Sequence, residues 1–257
     1  MASGLGGAAS CGTPAILDDD LPVGLPDRGV VDPLSDGAVA EAQVETSVVL
    51  PIGSDSGSDA VAPTQAVLCS APDLVLCFGF EGAVTDGSPN ALVPAALSGV
   101  SFVPGKLGQA ASFAAVSAMT FAPSAAFQVT TATIEAWVKL APNPPGDGVI
   151  FDADNRGSLT ILADGTLLCK PAGVPSAGKV VAGQWTHVAC VFDGTNAHAY
   201  LNGVEVGVVA GAIGASPAAG AAVGGNSPSG EPFVGAIDSF RFFKVARTPA
   251  EIAAAAQ

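Results

Sequence analysis

Residues 183–206, GQWTHVACVFDGTNAHAYLNGVEV, decide the fold. Side chains alternate sides along a strand, so Trp185, His187, Ala189 and Val191 share one side of the first half, and Thr186, Val188, Cys190 and Phe192 the other. Asp193-Gly194 opens a short turn into a second strand, AHAYL. Asn202-Gly203 then reads as a two-residue hairpin, because a type I′ turn needs positive φ at both central positions. Two hairpin-linked strands in 24 residues place this part of the chain in an antiparallel sheet.

Working outward, strand-sized segments recur from Leu74 onward. LVLCFGFEG, KLGQAASF, AMTFAP, ATIEAWVKL, GVIFDAD, SLTILADG, TLLCKP, VEVGVVAG, AAVGGN and FVGAIDSFRFFKVA follow one another with turn signals between them. Their spacing, close to eight to twelve residues, is that of an all-β sandwich or jelly roll. Asp164-Gly165 is a second two-residue hairpin signal. Only the C-terminus predicts a helix: in RTPAEIAAAAQ, Thr248 stands at the N-cap, Pro249 at the first helical position and Glu251 at the third, a capping box with a favourable proline.

Residues 1–66 read differently. They are rich in Pro, Gly, Asp and Ser, show no sustained period, and predict a largely disordered tether ahead of a domain at 67–257. Within the tether, AQVETSVVLPI is the most β-prone piece. The net charge of −14 is uneven: eleven acids and one base fall in residues 1–73, twelve acids and eight bases in residues 74–257. Acidity of this kind excludes nucleic acid as the partner, since phosphates require Lys and Arg. No apolar run is long enough to span a membrane. MASGLGGAASC carries small residues before Cys11 without the basic start and long apolar stretch of a full signal peptide. A lipid-anchored Cys11 downstream of a truncated leader is one expectation; an unmodified flexible start is the other.

Five segments, in order, carry a family resemblance. LVLCFGFEG with DGSPN, VPGKLGQAASFAA, TATIEAWVKL, GQWTHVACVFDGTNAHAYLNGVEV, and VGGNSPSGEPFVGAIDSFRFFKVARTPAEI together resemble a laminin G-like domain of the concanavalin A-like jelly-roll superfamily, from about Leu74 to Ala254. The resemblance implies two curved antiparallel sheets packed face to face. It implies no reaction, because such folds host many functions.

The resemblance also places the strand with Glu135, Trp137 and Lys139 in the same sandwich as the strand with His187, which lets Glu135 and His187 form a buried or half-buried polar pair. Four cysteines of an extracellular-type domain suggest two disulfides; of the three possible pairings, Cys69–Cys77 and Cys169–Cys190 is preferred. Free thiols are the alternative, and zinc is disfavoured because no Cys-x-x-Cys pair exists. The family often holds calcium near its opening loop, and the matching positions are Glu81, Asp86, Asn90 and Asp238. A second oxygen-rich cluster, Asp152, Asp154 and Asn155, has the spacing of the start of a calcium loop but lacks the bidentate Glu that completes one. Ordinary turn chemistry also explains these side chains. Some members of the superfamily are glucanases with a Glu-x-Asp-x-x-Glu strand; the seven Glu here form no such pattern, so no enzymatic activity is expected.

Two functions fit these residues. One is a non-catalytic extracellular or cell-surface module that binds a glycan or a protein. The other is a structural or adhesion spacer of the cell envelope. Both Trp residues match framework positions, which tempers the glycan version.

Overall fold

The computed structural model describes residues 64–154, 156–214, 220–226 and 230–257. Residues 1–63 of the expected tether, with the β-prone AQVETSVVLPI and Cys11, and Asn155 lie outside them, while its last residues 65 and 66 begin a helix. A short helix α1 (Gln65–Leu68) precedes fifteen strands. These are β1 (Leu74–Phe78), β2 (Ala96–Ser98), β3 (Ser101–Pro104), β4 (Gln109–Phe113), β5 (Ala118–Phe121), β6 (Ala132–Leu140), β7 (Gly148–Asp152) and β8 (Ser158–Ile161). There follow β9 (Thr166–Lys170), β10 (Val174–Lys179), β11 (Trp185–Phe192), β12 (Asn196–Leu201), β13 (Val204–Ala210), β14 (Ala221–Val223) and β15 (Gly235–Phe243). Helix α2 (Pro249–Ala255) ends the chain. Neither helix is long and apolar enough to cross a membrane.

The strands form two sheets. The first runs β13-β12-β11-β6-β15, and beyond β15 it carries β4 and β3 along one half of that strand's edge and β1 along the other. The second runs β10-β9-β8-β7-β14-β5-β2. Every strand pairing is antiparallel, as a jelly-roll sandwich requires. Alternation decides what fills the space between them: Ile134, Ala136 and Val138 of β6, Val188, Cys190 and Phe192 of β11, and Phe240 and Phe242 of β15 meet Phe151, Leu159, Leu167, Cys169 and Val223 of the second sheet. Eleven of the 12 Phe are buried, and they pack ring against ring, with Phe151 and Phe242 4.9 Å apart. A pool of few aromatics is therefore spent almost wholly on the core.

Asn202 (φ 49°) and Gly203 (φ 80°) form the hairpin that joins β12 to β13, as the sequence predicts. The Asn202 side chain also accepts from the His187 amide at 3.0 Å. Asp164-Gly165 differs. Only Gly165 takes a left-handed φ, and the turn is longer, because the Asp164 carboxylate accepts from the Thr166 amide and hydroxyl and fixes the chain before it. Helix α2 carries the expected capping box between Thr248 and Glu251. It lays Ile252 on Ala189, Val191 and Tyr200, on the outer face of the first sheet.

Candidate functional site

The structure joins Cys69 to Cys77 and Cys169 to Cys190. The first bridge ties α1 to β1. The second connects the two sheets.

On the outer face of the first sheet, Glu135 and His187 come together, Oε2 to Nε2 3.5 Å apart, both almost wholly buried. A third group joins them: Arg241 of β15 donates to Glu135 Oε1 at 2.8 Å. Register explains the meeting, since Glu135 pairs with Arg241 across β6 and β15, and His187 pairs with Trp137 across β11 and β6. Trp137 packs edge-on against His187, and the Lys106 ammonium lies 4.2 Å from the Trp137 ring centre. Under this cover the Glu135 and His187 side chains are too enclosed to touch a substrate. Their chemistry is that of a buried, charge-compensated crosslink of three strands.

The four expected calcium ligands fall into two pairs with different duties. Asp86 Oδ1 accepts from the amides of Cys77 and Ser88, and its Oδ2 from the Ser88 hydroxyl and the Leu92 amide. Asn90 donates to the carbonyls of Leu74 and Val75. Ser88 adds a bond to the Val75 carbonyl. These three side chains cover the edge of β1 that no strand pairs, and edges left bare recruit other chains. Asp86 has spent its acceptor positions on protein donors, whereas the Asn90 bonds run through its side-chain nitrogen.

Glu81 and Asp238 instead converge on the turn between β3 and β4. Asp238 Oδ2 accepts from the Lys106 and Leu107 amides at 2.9 and 3.0 Å, and Glu81 Oε2 accepts from Gln109 at 2.9 Å. Burial pushes the Asp238 carboxyl up to about 6 against the pull of those donors, and the nearby Glu81 charge adds to the rise. Two carboxylates at one turn fit a cation in part. Among the described residues no three His, Cys, Asp or Glu side chains gather as a metal site. Of the second cluster, Asp152 accepts from the Asp154 amide at 3.2 Å, in the manner of an Asx turn, while Asn155 lies outside the described residues.

Sequence reasoning missed the outer face of the second sheet. Register lines up Thr120 of β5, Ala222 of β14, Asp152 of β7, Ser158 of β8 and Lys170 of β9 in one row across five strands. At about 4.8 Å per strand the row is roughly 19 Å long. A hollow of about 230 Å³ lies at the Thr120 end, between Val116, Ala222 and Asn226. Another of about 210 Å³ lies at the other end, between Asp152, Ser158 and Lys170. Lys170 takes part in none of the ion pairs among the described residues. No local pattern announces this row, because its members are scattered from Thr120 to Ala222 and only pairing brings them together.

A face-to-face sandwich of two antiparallel sheets whose strands follow this order defines the class: a jelly-roll domain. The Laminin_G_3 family, described as Concanavalin A-like lectin/glucanases superfamily, matches residues 113–253. That is more than half of the chain, and the chain belongs to this family. No curated protein matches the sequence. Among solved structures, domain 4 of AbnA, an extracellular arabinanase of Geobacillus stearothermophilus, is 22% identical, with a TM-score of 0.59 over 72% of this chain and 98% of that one. The binding domain of Paraclostridial Mosquitocidal Protein 1 is 16% identical, with a TM-score of 0.59 over 74% of this chain. The binding domain of Botulinum Neurotoxin DC is 12% identical, with a TM-score of 0.55 over 72% of this chain. The match spans about half of each of the two toxin structures, 52% and 51%. At these identities the likeness shows the fold.

Proposed function

We propose that residues 67–257 form a non-catalytic carbohydrate-binding module that works outside the cell, carried on the acidic segment 1–66. The carrying observation is the row Thr120–Asp152–Ser158–Lys170 with a hollow at each end. A glycan lying across the strands meets, at the two ends of the row, the part-exposed Thr120 hydroxyl, which donates and accepts, and the part-exposed Lys170 ammonium, which donates. Family membership supports this, as do two neighbouring structures, the arabinanase domain in complex with arabinotriose and the neurotoxin domain in complex with SialylT. The two disulfides support an oxidising location. Calcium, where bound, would be held by Glu81 and Asp238 at the β3–β4 turn rather than by all four expected residues. It would supply charge compensation for that turn.

A glycan array followed by titration of each hit against the Lys170→Ala and Thr120→Ala variants tests the proposal. Specific hits that weaken in both variants are expected. Hits unaffected by either variant sink the row as the site. An empty array with concentration-dependent self-association favours the spacer or adhesion role.

A further inference from the structure

The domain holds 12 Phe, 2 Trp and 1 Tyr, all within its described residues, and thirteen of these fifteen rings are buried. Phe102 is half-buried but turns inward onto the core. Trp185, unlike the buried Trp137, keeps part of its indole in water on the outer face of the first sheet. Its register partner across β6 is Lys139, which is exposed, and Lys139 in turn faces Ala236 of β15. Two positions along β6, on the same face, Trp137 carries the Lys106 ammonium over its ring. Neither Lys106 nor Lys139 enters an ion pair among the described residues. The acids near them hold protein donors: Asp238 two amides and the Ser239 hydroxyl, Glu81 the Gln109 amide, and Glu135 the Arg241 guanidinium. Beside Lys139 opens a hollow of about 370 Å³ with apolar walls from Val103, Pro104, Pro142 and Ala236.

We propose that Trp185, Lys139 and Lys106 form a subsite for a sugar ring that bears an acidic group, a carboxylate or a sulfate ester. The indole and the apolar walls of the hollow take the C–H face of the ring. The two ammonium groups take the acid. Two lysines outside any ion pair among the described residues, with a part-exposed indole beside one of them, select an anionic ring over a neutral one. The subsite lies on the opposite sheet from the Thr120–Lys170 row and stands independently of it.

Calorimetric titration of the domain with oligogalacturonate, dextran sulfate oligosaccharide and neutral dextran oligosaccharide tests the inference, with Lys139→Gln, Trp185→Ala and, as a control at an exposed lysine beyond the far end of β15, Lys244→Gln. At least one acidic probe binds more tightly than neutral dextran, and added salt weakens it. Lys139→Gln weakens that binding about fivefold and Trp185→Ala about tenfold, while Lys244→Gln leaves it unchanged. Binding of oligogalacturonate alone assigns a carboxylate, and of dextran sulfate alone a sulfate ester. Lys139 is exposed and enters no ion pair among the described residues, so its variant reports on the subsite even if Trp185→Ala unfolds. Equal affinity for the neutral probe, no effect of Lys139→Gln, or an equal loss of acidic binding in Lys244→Gln overturns the proposal.

Discussion

Cys169 of β9 and Cys190 of β11 belong to different sheets and are bonded through the core, with their Cα atoms 5.6 Å apart. Packed sheets ordinarily lie about 10 Å apart, so the sandwich narrows here. Small residues allow the approach: a side chain added at Gly207 of β13 would meet the Pro175 carbonyl oxygen of β10 at 2.6 Å. Both cysteines are fully buried. Replacing the pair by Ala should therefore cost about 3 kcal/mol, the chain-entropy value for a loop of this length, read as a lower midpoint in a denaturant titration. Reductant added to the folded protein should leave this bridge intact until the domain opens. A midpoint unchanged in the Cys169→Ala/Cys190→Ala variant would show that the bridge adds nothing.

Much of this was legible in the sequence, because it is written locally. The long strands β6, β11 and β15, the Asn202-Gly203 hairpin and the α2 capping box each carry a pattern within ten residues. What escaped was short or exposed. β2 is three residues with no buried side, β3 has none fully buried, and β10 contains Pro175 and Gly178, so none of the three shows the alternation that marks a strand. The same holds for function. Asp86 reads as a ligand because a sequence displays its oxygens and not the amides and hydroxyl that they accept from. The Thr120–Lys170 row and the Trp185–Lys139 pair exist only through pairing between distant strands. The two Trp residues look alike as framework positions, yet one is covered and the other half open.

Arg241 and Glu135 offer a test of the outer face of the first sheet. Glu135 is nearly sealed from water, and its charge is compensated by the guanidinium at 2.8 Å. Arg241→Ala leaves that carboxylate without a cation and should destabilise the domain by about 3 kcal/mol or more. Replacing both, as Glu135→Leu with Arg241→Met, should restore much of the loss, since an apolar pair removes the desolvation penalty on both sides. Denaturant titration of the single and double variants checks this. A near-neutral Arg241→Ala would mean that the pair is more open than its packing indicates.

Tyr200 is the only tyrosine of the chain, so its ionisation can be followed without interference. Burial under α2 pushes its phenol from 10.0 up to about 12, and the hydrogen bond to Glu205 reinforces the shift. The folded pKa lies above the unfolded one. The associated stability is therefore fully present below pH 10 and is lost as the pH rises through about 12. Near-ultraviolet phenolate absorbance should rise well above the ordinary tyrosine range while the domain remains folded, and Tyr200→Phe should abolish the signal. A midpoint near 10 in the folded protein would place the ring in solvent instead.

Asp86 separates structural duty from metal binding. Its carboxylate accepts from Cys77, Ser88 and Leu92 at the free edge of β1, and Asp86→Ala leaves at least two of those amides without a partner. A buried amide stranded in this way costs about 1–3 kcal/mol, so the variant should lose roughly 2–4 kcal/mol of stability. The loss should be the same in excess calcium and in chelator, because the donors are protein groups. Asp238→Asn removes one of the two carboxylates that share the β3–β4 turn, so any calcium-dependent rise in the midpoint should shrink in that variant and persist in Asp86→Ala as a difference between the two conditions. Thermal melts of both variants, with and without chelator, give the comparison. A loss in Asp86→Ala that appears only when calcium is present would return Asp86 to the role of a ligand.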